Sequence, residues 1–256
     1  LLDKSLGERW YGATWPLNRS LREEYGRHLP VDADLKNIIK TIFPTLSPVD
    51  GDRVKIPGVS ETYPDPLRIY PDLLDATLEG RNSLVHGDLH WRNVLVDESG
   101  KGWLIDFAKV RVRHNLFDFI KLETYIRLMV MAAEYGAFSW SEYVQFERAL
   151  NAAEMDRKAA LPTNASLAKA YEVIRTIRKI AQHYMKDPRN FSKEYLPALF
   201  LYCLAMMKYY QSNGLAPTQR VFITACVAGH YLAEDELSAD TTSPSPTTPS
   251  HSDTST

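Results

Sequence analysis

The chain has 256 residues, 45% of them hydrophobic, which is enough for one large core or two modest ones. A formal net charge of −2 and a pI near 6.4 leave no basic footprint for nucleic acid. No apolar run is long enough to span a bilayer and no secretory signal opens the chain, so a cytoplasmic protein without a membrane partner is the expectation.

In chain order, "SLREEYGRHLPVDADLKNIIKTIF" predicts short helices broken at Pro30 and Pro44. "PVDGDRVKIPG" reads as a loop with one short strand at Val54 to Ile56. "DPLRIYPDLLDATLEG" fits a helix stopped at Gly80. "VLVD" and "WLID", separated by "ESGKG", predict a β-hairpin. Helical spacing follows. One helix runs from about Leu116 to a stop at Gly136, and the next is capped by Ser139 or Ser141. "SLAKAYEVIRTIRKIAQHYM" and "KEYLPALFLYCLAMMKYYQSNG" come after, and a last helix is capped by Thr218. Cys203 and Cys226 lie in these apolar runs and are expected as buried thiols. From Ser238 to Thr256 the chain is Ser/Thr/Pro-rich with no large apolar residue, so a disordered tail or linker is expected there, after a domain over residues 1–237. A chain that begins at Leu1 rather than methionine is expected to be cut from a longer polypeptide, with partner domains possible on the same chain.

The hairpin gathers the chemistry. Pairing Val94–Val96 beside Trp103–Ile105 brings Asn93 and Asp106 together at its open end. Adjacent strands lie about 4.8 Å apart. Two oxygen-bearing side chains at that spacing suit one magnesium ion, with Mg–O distances near ~2.1 Å and room left for phosphate oxygens. Asp88 lies five residues before Asn93 in "HGDLHWRN", too few for the run to leave the site. A carboxylate there is placed to accept a proton from a substrate hydroxyl attacking a phosphoryl group. Gly87 lets the backbone turn tightly before it. A lone Asp on a loop is usually a cap and a lone Asn before a strand a turn residue; the combination and its spacing favour a site.

"HGDLHWRN" followed by "LIDF" resembles the catalytic loop and metal-binding segment of aminoglycoside-phosphotransferase-like kinases, a superfamily with choline kinases and the protein-kinase fold. "WLIDFAKV" and "LFDFIKLETYIRL" further resemble a bacterial branch of conflict and signalling systems, the ternary-complex-associated domains. The match is specific from Val85 to about Leu122. The resemblance implies an α+β, mostly helical fold: a kinase-like C-terminal lobe with a catalytic hairpin. It implies ATP and Mg2+ as cofactors, Asp88 as base, His86 bracing the loop, Asn93 and Asp106 holding the metal and nucleotide, and Asp118 supporting the loop from the next helix. The implied activity is transfer of the γ-phosphoryl group to a hydroxyl of a small molecule.

The family's N-terminal lobe is missing from the pattern. No Gly-rich phosphate loop and no run of five alternating strands precede His86. Lys55 in "RVKIP" is the one upstream lysine on a plausible strand and stands as the candidate nucleotide-binding lysine. Three readings stay open: the lobe lies upstream of Leu1, it is strongly reduced within the first eighty residues, or the chain is a single-lobe pseudoenzyme acting as a binding module.

His90 and Arg92 sit inside the loop, where His90 either contacts substrate or Asp106, or is a side chain at the cleft edge. Lys109, Arg111, Arg113 and His114 form a basic run that meets an anionic substrate or is simply solvated. His183 and His230 lack metal-ligand spacing. "NRS" at Asn18 and "NAS" at Asn164 match glycosylation acceptors only by chance if the chain is not secreted.

Overall fold

Three strands organise the first half of the chain. β1 (Trp15–Ser20), β5 (Thr77–Val85) and β8 (Arg111–His114) form an antiparallel sheet in the order β1-β5-β8. Leu17 lies opposite Gly80, and Val85 opposite Arg111. The computed structural model describes residues 10–130 and 138–240.

Between β1 and β5 the chain folds locally. Ser20 caps α1 (Leu21–Glu24) through a reciprocal bond with Glu23. α2 (Asp32–Ile42) buries Leu35, Ile38, Ile39 and Ile42, the apolar stripe of an amphipathic helix. β2 (Ser47–Val49), β3 (Arg53–Lys55) and β4 (Thr62–Pro64) make a separate antiparallel meander. α3 (Pro66–Asp75) starts on the Asp65 cap. It ends five residues before the predicted stop, because Thr77 already opens β5. Gly80 is a strand residue there, and a Cβ on it would lie 2.8 Å from Glu194 Oε1.

β6 (Val94–Val96) and β7 (Gly102–Leu104) form the expected hairpin. Its register differs by one residue: Val94 faces Leu104, and Asn93 is opposite Ile105, whose N–H donates to the Asn93 carbonyl at 3.1 Å. The loop chemistry explains the slip. Asp97 pairs with Lys101 across the turn, and its side chain accepts from the backbone of Ser99 and Lys101.

The second half is helical, and the fold is α+β and mostly helical. α4 (Phe117–Tyr125) continues into a π turn at Ile126–Val130; the predicted stop at Gly136 lies outside the described residues. α5 (Trp140–Glu154) is capped by Ser139, with Glu142 returning the bond. Asn164, the second glycosylation match, caps α6 (Ala165–Gln182). α7 (Phe191–Met206) is buried along almost its whole length, which is why its sequence lacks a polar face. It stops before the predicted end. A 3-10 turn, α8 (Tyr210–Asn213) and Gly214 at φ 88° then lead into α9 (Leu215–Asp240). Thr218 is inside α9 rather than its cap, and its hydroxyl donates to Gly214 O at 2.8 Å. α9 runs three residues past the predicted domain end at 237; the rest of the expected tail lies outside the described residues. Cys203 and Cys226 are buried free thiols.

A buried ionic network ties the helices together. Arg178 donates to Glu123 at 2.7 Å and Arg127 to Glu147 at 2.7 Å, while the Tyr195 hydroxyl reaches Glu123 at 2.6 Å. Burial pushes the Glu123 carboxyl up, but Arg178 and Arg127 outweigh it and hold it below its usual value.

Candidate functional site

β5 and β8 are neighbours in one sheet, so residues 86–110 leave one strand and return to the next. The loop, the hairpin and the basic turn are thereby closed back on themselves. Gly87 marks the tightest point. Its φ is 75°, and a Cβ there would lie 2.3 Å from the carbonyl oxygen of Lys109.

Asp118, in the first turn of α4, fixes the start of the loop. Its carboxylate accepts from the backbone N–H of His86 at 2.6 Å, that of Gly87 at 2.9 Å and the Tyr11 hydroxyl at 2.7 Å. Burial pushes the Asp118 carboxyl up, against the pull of these three donors. His86 is fully buried. Its Nε2 donates to Ile105 O at 2.9 Å, and its Nδ1 accepts from the Asp88 N–H at 3.3 Å. A carbonyl only accepts and an amide N–H only donates, so the imidazole carries its proton on Nε2. His86 thus links the loop to the strand end before Asp106. Leu89, fully buried, pins the middle of the loop.

Asn93 closes it. The Asn93 amide nitrogen donates to the Asp88 carbonyl at 2.9 Å, and its backbone N–H to His90 O at 2.9 Å. Asp106 follows Ile105 in a left-handed conformation, φ 61°, which Asp adopts more readily than most residues and which Asp50 and Asp156 share. Among the described residues none donates a hydrogen bond to its exposed carboxylate. The amide oxygen of Asn93 and the carboxylate of Asp106 are hard oxygen donors of the type that magnesium takes. With the register slipped by one, Asp106 stands one residue beyond the position opposite Asn93.

Asp88 is held by two lysines. Lys109 Nζ reaches its Oδ2 at 2.6 Å, and Lys121, a buried residue on α4, binds its Oδ1. Burial pushes the Asp88 carboxyl up, but these ammonium groups outweigh it and hold it at about 2. Burial pulls the Lys121 ammonium down, and Asp88 opposes that. Asp88, Lys109 and Lys121 line a cavity of about 250 Å³, together with Arg111, Lys208 and Tyr125 among others.

The other expected residues lie around this constellation or away from it. His90 stacks on Tyr125 with centroids 5.1 Å apart, and it makes no bond to Asp106. Burial lowers its imidazole. Arg92 is exposed, its guanidinium 5.2 Å from the Trp91 ring centroid. Arg113 and His114 from the basic run are buried and structural: Arg113 donates to Glu24 at 2.7 Å, and His114 Nδ1 meets the Tyr25 hydroxyl at 2.7 Å. Lys55, the candidate nucleotide-binding lysine, stands away from Asp88. It is exposed on β3, in the meander that packs through Tyr63 against His230 of α9, and it is not among the residues lining the Asp88 cavity. Lys121 was missed because a lysine in a helical run reads as a solvated charge. Its place three residues after Asp118 puts both on one helix face and was the available signal.

Among the described residues no group of three or more His, Cys, Asp or Glu side chains is arranged to hold a metal ion, and no helix is long and apolar enough to cross a membrane. Comparison with curated proteins and with solved structures gives no match. A family model, ternary complex associated domain 9, matches residues 19–208, from β1 to just past the end of α7. That span takes in the whole excursion from His86 to Val110 and covers well over half of the 256 residues. The chain belongs to the ternary complex associated domain 9 family.

Proposed function

We propose that this domain is a kinase-like lobe that binds ATP with magnesium and transfers the γ-phosphoryl group to a hydroxyl of a small molecule. The observation that carries the reading is the closed loop: Asp118, His86 and Asn93 together fix the backbone on both sides of Asp88. So many bonds spent on one eight-residue loop favour a catalytic rather than a connecting role.

In this reading the acceptor oxygen attacks the γ-phosphorus, a new P–O bond forms, and the bond to the β–γ bridging oxygen breaks, releasing ADP. Asp88 orients the acceptor hydroxyl and takes its proton. A carboxylate held at about 2 is a weak base, so its main work is orientation, with the proton passing late. Asn93 and Asp106 would hold magnesium, which would supply positive charge to the nucleotide phosphates. Lys121 and Lys109 place positive charge beside the transferred group. Asp106→Asn is expected to abolish magnesium-dependent ATP turnover by the full chain. Unchanged turnover in that variant would sink the mechanism.

A second reading, a non-catalytic binding module within a larger signalling or conflict-system protein, is favoured by one observation. Trp91, Leu95, Trp103, Ile105 and Phe107 are 39–50% exposed, all on or beside the hairpin. Large apolar side chains gathered on one exposed element mark a surface that meets another body. Phosphotransfer activity separates the two readings.

A further inference from the structure

The cavity beside Asp88 has a charge imbalance that its own structure does not resolve. Lys109, Arg111, Lys121 and Lys208 line it, and Asp88 is the one acidic residue on its wall among the described residues. Two of these cations are committed to Asp88, one on each carboxylate oxygen. Among the described residues neither of the other two forms an ion pair with a carboxylate; Glu24, the carboxylate whose charge acts on Arg111, is bound by Arg113. Lys208 Nζ donates to the backbone carbonyl of His28 at 3.0 Å, a bond that fixes the ammonium without neutralising it. Arg111 is exposed at the start of β8, and its neighbour Arg113 already takes Glu24. The imidazole of His28, also on the cavity wall, is lowered chiefly by burial, and the cations add to it. Burial, then Arg113, Arg27, Lys208 and Arg111, push the His28 imidazole down to about 3, so a proton is excluded there. A solvated charge run would spread its cations over the surface. Here residues from the turn before β8, from β8, from α4 and from the end of α7 converge on one concavity.

We propose that this cavity binds a small phosphate monoester, whose phosphate sits on Arg111 and Lys208 and whose free hydroxyl reaches Asp88. The proposal rests on the phosphotransferase reading for what happens to that hydroxyl, but not for the binding itself. A dianion matches two uncompensated cations, as one carboxylate on a ligand would not. A volume of about 250 Å³ holds about eight waters at ~30 Å³ each, the size of a phosphate with a short carbon chain and not of an oligosaccharide. The cations also set the substrate class apart from polycationic acceptors, which this wall would repel.

The test is calorimetric titration of the full chain with glycerol 3-phosphate, and in parallel with glycerol and with inorganic phosphate. Each titration is run with and without magnesium and a non-hydrolysable ATP analogue. Glycerol 3-phosphate is expected to bind and glycerol not. Arg111→Met and Lys208→Met should each weaken the ester about tenfold or more, the usual effect of losing one charge-assisted hydrogen bond. Binding of the ATP analogue should be unchanged in both variants. Ester binding that survives both substitutions, binding of inorganic phosphate without the ester, or equal binding of glycerol would each overturn the proposal. If the ester binds as described while the ATP analogue does not, the anion site stands and the phosphotransferase reading fails.

Discussion

Asp118→Ala probes the loop's anchor directly. The carboxylate accepts from two backbone N–H groups, of His86 and Gly87, and from the Tyr11 hydroxyl, and all three are buried with it. Neither N–H has another acceptor within the loop, and the backbone cannot rotate them toward water. A buried donor left without its partner costs about 1–3 kcal/mol. The Tyr11 hydroxyl can turn and recover part of its loss. Together the expected destabilisation is about 3–6 kcal/mol, a large part of a typical domain's stability. For a chain of this size that lowers Tm by roughly 6–24 °C. Tyr11→Phe removes donor and bond together and leaves Asp118 its two N–H partners, so about 1 kcal/mol is expected. Urea denaturation followed by circular dichroism reads both. A loss below about 1 kcal/mol for Asp118→Ala, or equal losses for the two variants, would refute the view that this carboxylate holds the loop.

Other expectations follow from single observations. Gly87→Ala meets the Lys109 carbonyl at 2.3 Å and a φ of 75°, whereas Gly100→Ala meets nothing within 4 Å at φ 79°. Both carry the left-handed penalty of about 1–2 kcal/mol, and Gly87→Ala should lose clearly more in thermal unfolding. Equal losses would show that the loop moves aside. Arg178→Met leaves Glu123 buried without its main partner and should cost about 3–5 kcal/mol by urea denaturation, a small effect meaning water enters the helix interface. Asp88 is held at about 2 when folded against an ordinary 3.8, so its contribution is present above pH 4 and lost as pH falls through about 2. That contribution is at most about 2 kcal/mol, less whatever the buried Lys121 loses, so wild type should lose its stability advantage over Asp88→Asn in acid titration between those values. An advantage that persists at pH 2 would contradict the assignment.

Much of the helical half is legible in the sequence because its signals are local. Ser139 with Glu142 three residues on is a capping box, and the apolar run of α7 has no polar face to expose. The sheet was less legible. β5 points Gly80, Asn82 and Ser83 inward, so its alternation carries few apolar residues, and its first four residues read as the end of a helix. β1 and β8 are short and partly exposed, and their partners lie far along the chain. The hairpin itself was plain, but its register hung on the side-chain bonds of Asp97, which no strand pattern reports. The same division holds at the site. Asp88, Asn93 and Asp106 stand out by their spacing, and Asp118 by the family resemblance. Lys121 and Lys208 belong to it only because β5 meets β8 and because the end of α7 comes back over the loop. Lys55, the plausible strand lysine, lies exposed on β3 and does not line the Asp88 cavity.

Calorimetry of magnesium-dependent ATP binding by the full chain and by its Asp106→Asn variant tests the central claim most directly. The expected result is binding that requires magnesium in the wild type and is lost in the variant, with the fold unchanged by circular dichroism. Binding that persists in Asp106→Asn, or that needs no magnesium, would contradict the assignment of Asn93 and Asp106 as the metal–nucleotide site.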